Sequence, residues 1–159
     1  MALEQVLSTI VKRLRSLELW RDSLREPTNS CCLLTNATMS IPNNAWTAIT
    51  FDTETRDLDG LHDGVNTDRI TIKVAGVYVV TGGAYYDQAA GGGQRSLMIY
   101  KGATAYNGQS HFDITGAGYI STADEIVCAV GDILRLYFYQ NSGGALNVLY
   151  ARLGATRIA

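Results

Sequence analysis

Three cysteines, two histidines and a net charge of −2 are little reactive chemistry for a chain of 159 residues. Cys31, Cys32 and Cys128 form no C-x-x-C pair and stand far in sequence from His62 and His111, which excludes the usual zinc spacings. They read as small buried hydrophobes. Association of several chains would also gather the copies of Cys31 and Cys32 at one junction, where an oxidising medium would allow an interchain disulfide. Lys12, Arg13, Arg15 and Arg21 are dispersed rather than striped, and the balanced charge offers no footprint for nucleic acid or an anionic membrane. No run approaches the roughly 18 apolar residues of a membrane span. The opening Met1-Ala2-Leu3-Glu4-Gln5 has an acid where a secretory signal is basic. The expectation is synthesis in a cytosol without membrane insertion. Gly-x-Ser-x-Gly, His-Glu-x-x-His and P-loop patterns are missing too, and Ser110 beside His111 is not a spacing that sets a nucleophile against its base. Gly91-Gly92-Gly93 has no lysine and no following helix, so it reads as a hairpin tip rather than a phosphate cradle. Catalysis is not expected.

What the chain does have begins at its third residue. Leu3, Leu7, Ile10, Leu14, Leu17, Arg21 and Leu24 form a 4-3 repeat, the seam of a coiled coil. With Leu7, Leu14 and Arg21 at a, the flanks g and e pair Val6 with Val11, Arg13 with Glu18, and Trp20 with Arg25 in a parallel bundle, giving one apolar contact, one ion pair and one cation–π contact. Apolar flanking positions widen the stripe beyond two strands, and Arg13-Leu14-Arg15-Ser16-Leu17-Glu18 resembles the Arg-h-x-x-h-Glu pattern of short parallel trimers. A homotrimer is expected. About 22 residues is short for a free-standing coil, so the rest of the chain must help hold it. The competing reading is a single amphipathic helix lying on its own domain.

Pro27-Thr28-Asn29-Ser30 ends the helical pattern, which divides the chain into a helix over 1–26, a junction over 27–30 and a domain over 31–159. There the period changes to two. Trp46–Phe51, Arg69–Lys73, Gly76–Ala84, Arg95–Tyr100, Glu125–Val130 and Ile133–Gln140 are short, rich in β-branched and aromatic residues, and punctuated by Asn43-Asn44, Asp59-Gly60, Asn107-Gly108, Gly131-Asp132 and Ser142-Gly143-Gly144. The class is all-β, a sandwich or barrel with antiparallel connections. Val77–Val80 and Ile133–Tyr139 are apolar on both faces. In the second, Leu134, Leu136 and Phe138 suit the interior, which leaves Tyr137 and Tyr139 to pack about a threefold axis.

Phe51, Asp57 six positions on, Ile70, Gly76-Val77-Tyr78, Val80, and Gly131-Asp132 before an aromatic strand together resemble the signature of the complement-1q/tumour necrosis factor jelly rolls. Over about residues 31–159, the stretches Ser40–Asp63, Ala75–Val80 and Gly131–Val148 are similar to complement-1q-like proteins of tailed bacteriophages and prophages. The resemblance implies a jelly-roll sandwich of about ten strands in a parallel trimer. As a function it implies a virion structural protein, located on the particle and released by lysis: a head fibre, a capsid decoration or a small tail appendage. Its partners would be capsid or tail proteins.

Two site expectations remain. The stretch Asp52–Asp63 holds five carboxylates around the turn at Asp59-Gly60, and oxygen ligands in a turning loop suit calcium, which some complement-1q-like domains bind. Asp57, Asp59 and Asp63 are the candidate ligands; the alternative is a solvated acidic loop with Asp63, Asn66 and Asp68 capping turns. Tyr85, Tyr86, Tyr106, Asn107, Gln109, His111 and Phe112 supply aromatic and amide groups that suit a sugar, so a receptor- or glycan-binding module for host-surface attachment is the alternative function. The seam generates its own test. Leu14→Asp, which sets a carboxylate into one core layer on every chain, is expected to weaken or abolish helix trimerisation as read by light scattering; a mutant that stays trimeric would leave assembly to the β domain alone.

Overall fold

A computed structural model describes residues 3–24, 31–88, 91–112 and 115–159. One helix, α1 (Leu3–Leu24), precedes eleven strands among these residues: β1 (Cys31–Asn36), β2 (Met39–Ile41), β3 (Thr47–Ala48), β4 (Thr53–Asp57), β5 (Ile70–Thr71), β6 (Gly76–Tyr86), β7 (Arg95–Lys101), β8 (Thr104–His111), β9 (Gly118–Cys128), β10 (Ile133–Gln140) and β11 (Leu146–Arg157). Neither Gly nor Pro interrupts residues 3 to 24, so the helix runs its length without a break. Every described side chain on it, Gln5 to Arg15, is exposed, Leu14 by 54%. Within the described part of the helix, then, Leu7, Ile10, Arg13 and Leu14 have no cover from the domain, while the side chains of Leu3, Leu17, Glu18, Arg21 and Leu24 lie outside the described residues.

The strands form two antiparallel sheets. The first runs β4-β1-β11-β6-β9, with β2 continuing the β1 side of β11; the second runs β3-β10-β7-β8, with β5 beside β3 on β10. Side chains alternate across each sheet. In β10, Leu134, Leu136, Phe138 and Gln140 are buried, while Ile133, Arg135, Tyr137 and Tyr139 are half-buried on the other face. In β6 the inward set is Tyr78, Val80, Gly82, Ala84 and Tyr86. The inner faces share one core, in which Leu34, Ile41, Phe51, Leu97, Ile99, Ile120, Ile126, Val148 and Leu153 are also buried. Each large apolar side chain so placed contributes about 1.5–3 kcal/mol. This is the jelly-roll sandwich that the alternation and the resemblance imply.

Several edges differ from expectation. Within Trp46–Phe51 only Thr47–Ala48 pairs as strand, although Ile49 and Phe51 are buried and Ile49 N–H donates to Leu136 O at 2.9 Å. β9 starts earlier than the expected Glu125, at Gly118, and stops at Cys128, where Asp132 accepts from Ala129 N and Gly131 turns at φ 90°. Cys32 and Cys128 are buried in the core, and burial pushes the Cys128 thiol up, which keeps it protonated and unreactive.

Two buried amides pin the sandwich. Gln140, fully buried, donates to Ile41 O and Gly144 O and accepts from Ser142 N and Ser142 Oγ, so its polar valence is spent. Asn36 Oδ1 accepts from Ala151 N next to the bulge that interrupts the β11–β6 register between Val148 and Tyr150.

The facing sheet packs directly on Gly82, where an added Cβ would stand 2.4 Å from Leu136 Cδ1. Gly82→Ala is therefore expected to overpack the core and cost about 1–3 kcal/mol, read as a lowered urea midpoint at unchanged slope. Shortening the opposing side chain in Gly82→Ala/Leu136→Val should recover part of that loss; no recovery would show that the contact at Leu136 is not what excludes a side chain.

Candidate functional site

The acidic segment folds differently from a ligand loop. Thr53–Asp57 is an edge strand, paired to β1 through Leu33↔Arg56 and Thr35↔Thr53, and its charges suit the exposed edge of a sheet. Asp57 turns its carboxylate on the following backbone, accepting from Leu61 N and His62 N at 2.9 Å each. Asp63 accepts from Val65 N, Asn66 N and Asn66 Nδ2, and these bonds, that from the Asn66 amide first, hold its carboxyl below the usual range. Such bonding is turn capping. Among the described residues no three His, Cys, Asp or Glu side chains gather as metal ligands, so Asp57, Asp59 and Asp63 are not brought together as one set of side-chain donors. His62, whose side chain is 4% exposed, meets Glu54 Oε1 through Nδ1 at 2.7 Å.

The expected ligand loops are mostly strand. Tyr85 and Tyr86 end β6 on opposite faces: Tyr85 faces out, whereas Tyr86 is buried beside Phe138, ring centroids 5.9 Å apart. Burial pushes the Tyr86 phenol up, and its hydroxyl lies 3.3 Å from His111 Nδ1. Tyr106 packs against the core with the Lys101 ammonium 5.7 Å from its ring centroid. Asn107 bridges the two sheets, its backbone N–H donating to Asp124 Oδ2 and its Nδ2 to Ala123 O, and Gln109 Oε1 accepts from Ser121 N. Tyr85, Tyr86, Tyr106, Asn107 and His111 thus form no common surface. Ser110 and His111 also part: Ser110 Oγ lies 2.7 Å from Ser96 Oγ, while His111 turns to Tyr86.

Two outer faces carry the surface chemistry. On the first sheet, register places Tyr150 beside Tyr85 and Tyr85 beside Tyr119. These side chains, 42%, 41% and 43% exposed, make one row across β11, β6 and β9. The next rows are Arg152, Gly83 and Ser121, then Gly154, Thr81 and Ala123, then Thr156, Val79 and Glu125, so the exposed Arg152 and Glu125 flank a middle of small residues. Tyr119 lies back over Gly83, where an added Cβ would meet its hydroxyl. Beyond them Val79, Val127 and Ile158 are exposed, Val127 by 71%. Nothing among the described residues covers this face. It was not visible in the sequence, because the row joins residues 31 and more positions apart.

On the second sheet, Tyr137 packs on Tyr100 with centroids 4.7 Å apart, and Tyr139 on Trp46 at 5.3 Å. Tyr137 and Tyr139 thus lie outside the core, each against a ring of its own chain. Below them Asp68 accepts from Arg69 Nε at 2.6 Å and Arg135 Nε at 2.7 Å. Burial works against the Asp68 charge, but the two guanidinium groups outweigh it and hold the carboxyl below the usual range.

No family model matches the chain, and no curated protein matches it. Solved structures do. The globular domain of a zebrafish complement 1qA protein matches at 17% identity and TM-score 0.67, over 82% of this chain and 98% of that one. The TNF Eiger of S. frugiperda matches at 13% and 0.58, over 83% and 94%. The vertex protein P5 of phage PRD1 matches at 22% and 0.58, over 83% and 98%. At these identities the likeness establishes the fold, a complement-1q/TNF-like jelly roll.

Asp68 supplies a pH test. Its folded pKa is depressed, so its contribution is full above the unfolded carboxylate pKa, about 3.9, and is lost as pH falls through the lower folded value. Asp68→Asn should cost about 1 kcal/mol at neutral pH, and the two unfolding curves should converge below the ordinary carboxylate range. A gap that persists there would assign the loss to packing instead.

Proposed function

We propose that the chain is a parallel homotrimer that serves as a non-enzymatic virion structural protein of a tailed bacteriophage, a head fibre, capsid decoration or small tail appendage presenting a threefold jelly-roll knob. The observation that carries the reading is the uncovered outer face of the first sheet. Between a tyrosine row and Val79, Val127 and Ile158 lie Gly83, Ser121, Gly154, Thr81 and Ala123, with Arg152 and Glu125 at the sides, so apolar surface that repays burial surrounds backbone that another copy can approach.

The chain enters the domain at one end of this face. Cys31, where the chain enters the domain, pairs with Thr156, which in turn pairs with Val79, so the helix joins the sandwich at the Val79–Val127 end. Its exposed Leu7, Ile10 and Leu14 need cover as the sheet face does. One threefold axis through both would bury the two together, and the Arg13–Glu18 pattern favours three chains. The contact is assigned to this face rather than to Tyr137 and Tyr139, whose rings already have neighbours. The likeness to a phage vertex protein supports the setting.

Light scattering on the full chain should give three times its 17.2 kDa mass, and Tyr119→Asp should weaken assembly at least ~10-fold. Antibody to the chain should label particles purified from a lysate of the strain that carries the gene. A monomer, or particles without the chain, would overturn the reading.

A further inference from the structure

Strand direction puts the loops between β2 and β3, between β6 and β7, and between β10 and β11 at the pole opposite the entry of the helix. There Trp46 is 41% exposed, although Tyr139 supports it from one side with the rings tilted by 35°. The turn that carries it is fixed. Asn44 N–H donates to Gln140 O at 2.8 Å, Asn44 holds φ 58°, and Asn43 Oδ1 accepts from Gly143 N at 2.9 Å. Behind the turn stands Gln140, buried and fully bonded. Asn44 Oδ1 accepts from the Tyr139 hydroxyl at 3.3 Å, which sets a carboxamide beside the aromatic pair. The same row continues across the sheet, since Tyr139 pairs with Ser96 and Ser96 with Ser110. Ser96 itself is buried; its hydroxyl lies 2.7 Å from that of the exposed Ser110 and accepts from Gln94 Nε2 at 2.6 Å, which holds both neighbours in place.

Two properties narrow what such a surface takes. Its own residues are uncharged: Arg135, four residues along β10 and about 13 Å away, is bonded to Asp68, and the Arg95 guanidinium beneath is buried and bonded to Gln94 O and Gly91 O. That disfavours phosphates, sulfated chains and charged peptides. It is also open, since the described residues enclose no cavity there, and a ligand that depends on apolar enclosure finds none. A pyranose ring fits both. Its C–H face lies on an aromatic ring, while its hydroxyls exchange hydrogen bonds with carboxamides and hydroxyls at the rim.

We propose that Trp46, Tyr139 and Asn44, with Gln94 and Ser110 beside them, form a shallow site for an uncharged pyranose unit of an oligosaccharide.

The chain has two tryptophans, Trp20 and Trp46, so Trp20→Phe makes Trp46 the sole indole reporter. In that background, millimolar maltohexaose, cellohexaose and chitohexaose are titrated, with a heparin hexasaccharide as the charged control. At least one neutral sugar should change the Trp46 fluorescence saturably, and heparin should not. Asn44→Gly keeps the positive φ and removes the carboxamide; it should weaken that binding about tenfold at unchanged light-scattering mass. Silence with all three neutral sugars, an equal response to heparin, or an altered mass in Asn44→Gly, which would make the patch a contact between copies, overturns the proposal. A silent trimer refutes only the sugar site, and a monomer that binds sugar refutes only the assembly.

Discussion

The two sheets meet in the core at a contact between a branched side chain and bare backbone, while Asn107 and Gln109 join them at the β8–β9 side. Leu136 descends from β10 onto Gly82 of β6, where a Cβ would stand 2.4 Å away. The rest of the sandwich is registered to that approach. Because Leu136 points inward, alternation sends Leu134 and Phe138 inward and turns Arg135, Tyr137 and Tyr139 out. Because Gly82 points inward, Gly83 and Tyr85 face out beside Ser121 and Tyr119. A slip of one residue in either strand would exchange core and surface along its whole length. The outer chemistry of both sheets is therefore a by-product of how the inner faces meet.

The two outer faces are not alike. On the first sheet the apolar side chains stand apart with small residues, Arg152 and Glu125 between them, and the exposure of the apolar groups costs free energy. On the second, rings lean on one another, and charges are paired within the chain at Asp68, Arg69 and Arg135. The first leaves apolar side chains exposed; the second is already largely satisfied, with Trp46 as its open end.

The legible parts of the sequence were those where one strand carries its own contrast. Ile133–Gln140 could be read to the residue, inner and outer sets included, because apolar and aromatic positions alternate within it. Thr53–Asp57 could not: an edge strand has polar residues on both faces, and its carboxylates read as a loop. β8 was hidden in the same way. Carboxylates counted along a chain carry no direction, and Asp57 and Asp63 spend theirs on backbone N–H groups a few residues on. Tyr85 and Tyr86 look like a pair, yet a strand sends neighbours to opposite faces. The row Tyr150–Tyr85–Tyr119 depends on which distant strands lie side by side, and no local pattern records that.

The exits of the chain from the sandwich add a constraint of another kind. Cys31 enters beside Thr156, and the carboxyl-terminal residues return to the same place, where Val77 N–H donates to Ala159 O and Ile158 N–H to Val77 O. Both ends of the domain thus share one pole. A peptide fused after Ala159 would emerge beside the point where the chain enters the domain. The same peptide spliced into the Ser142-Gly143-Gly144 turn would be carried at the tip, so the molecule is a display scaffold by its loops and a poor one by its tail.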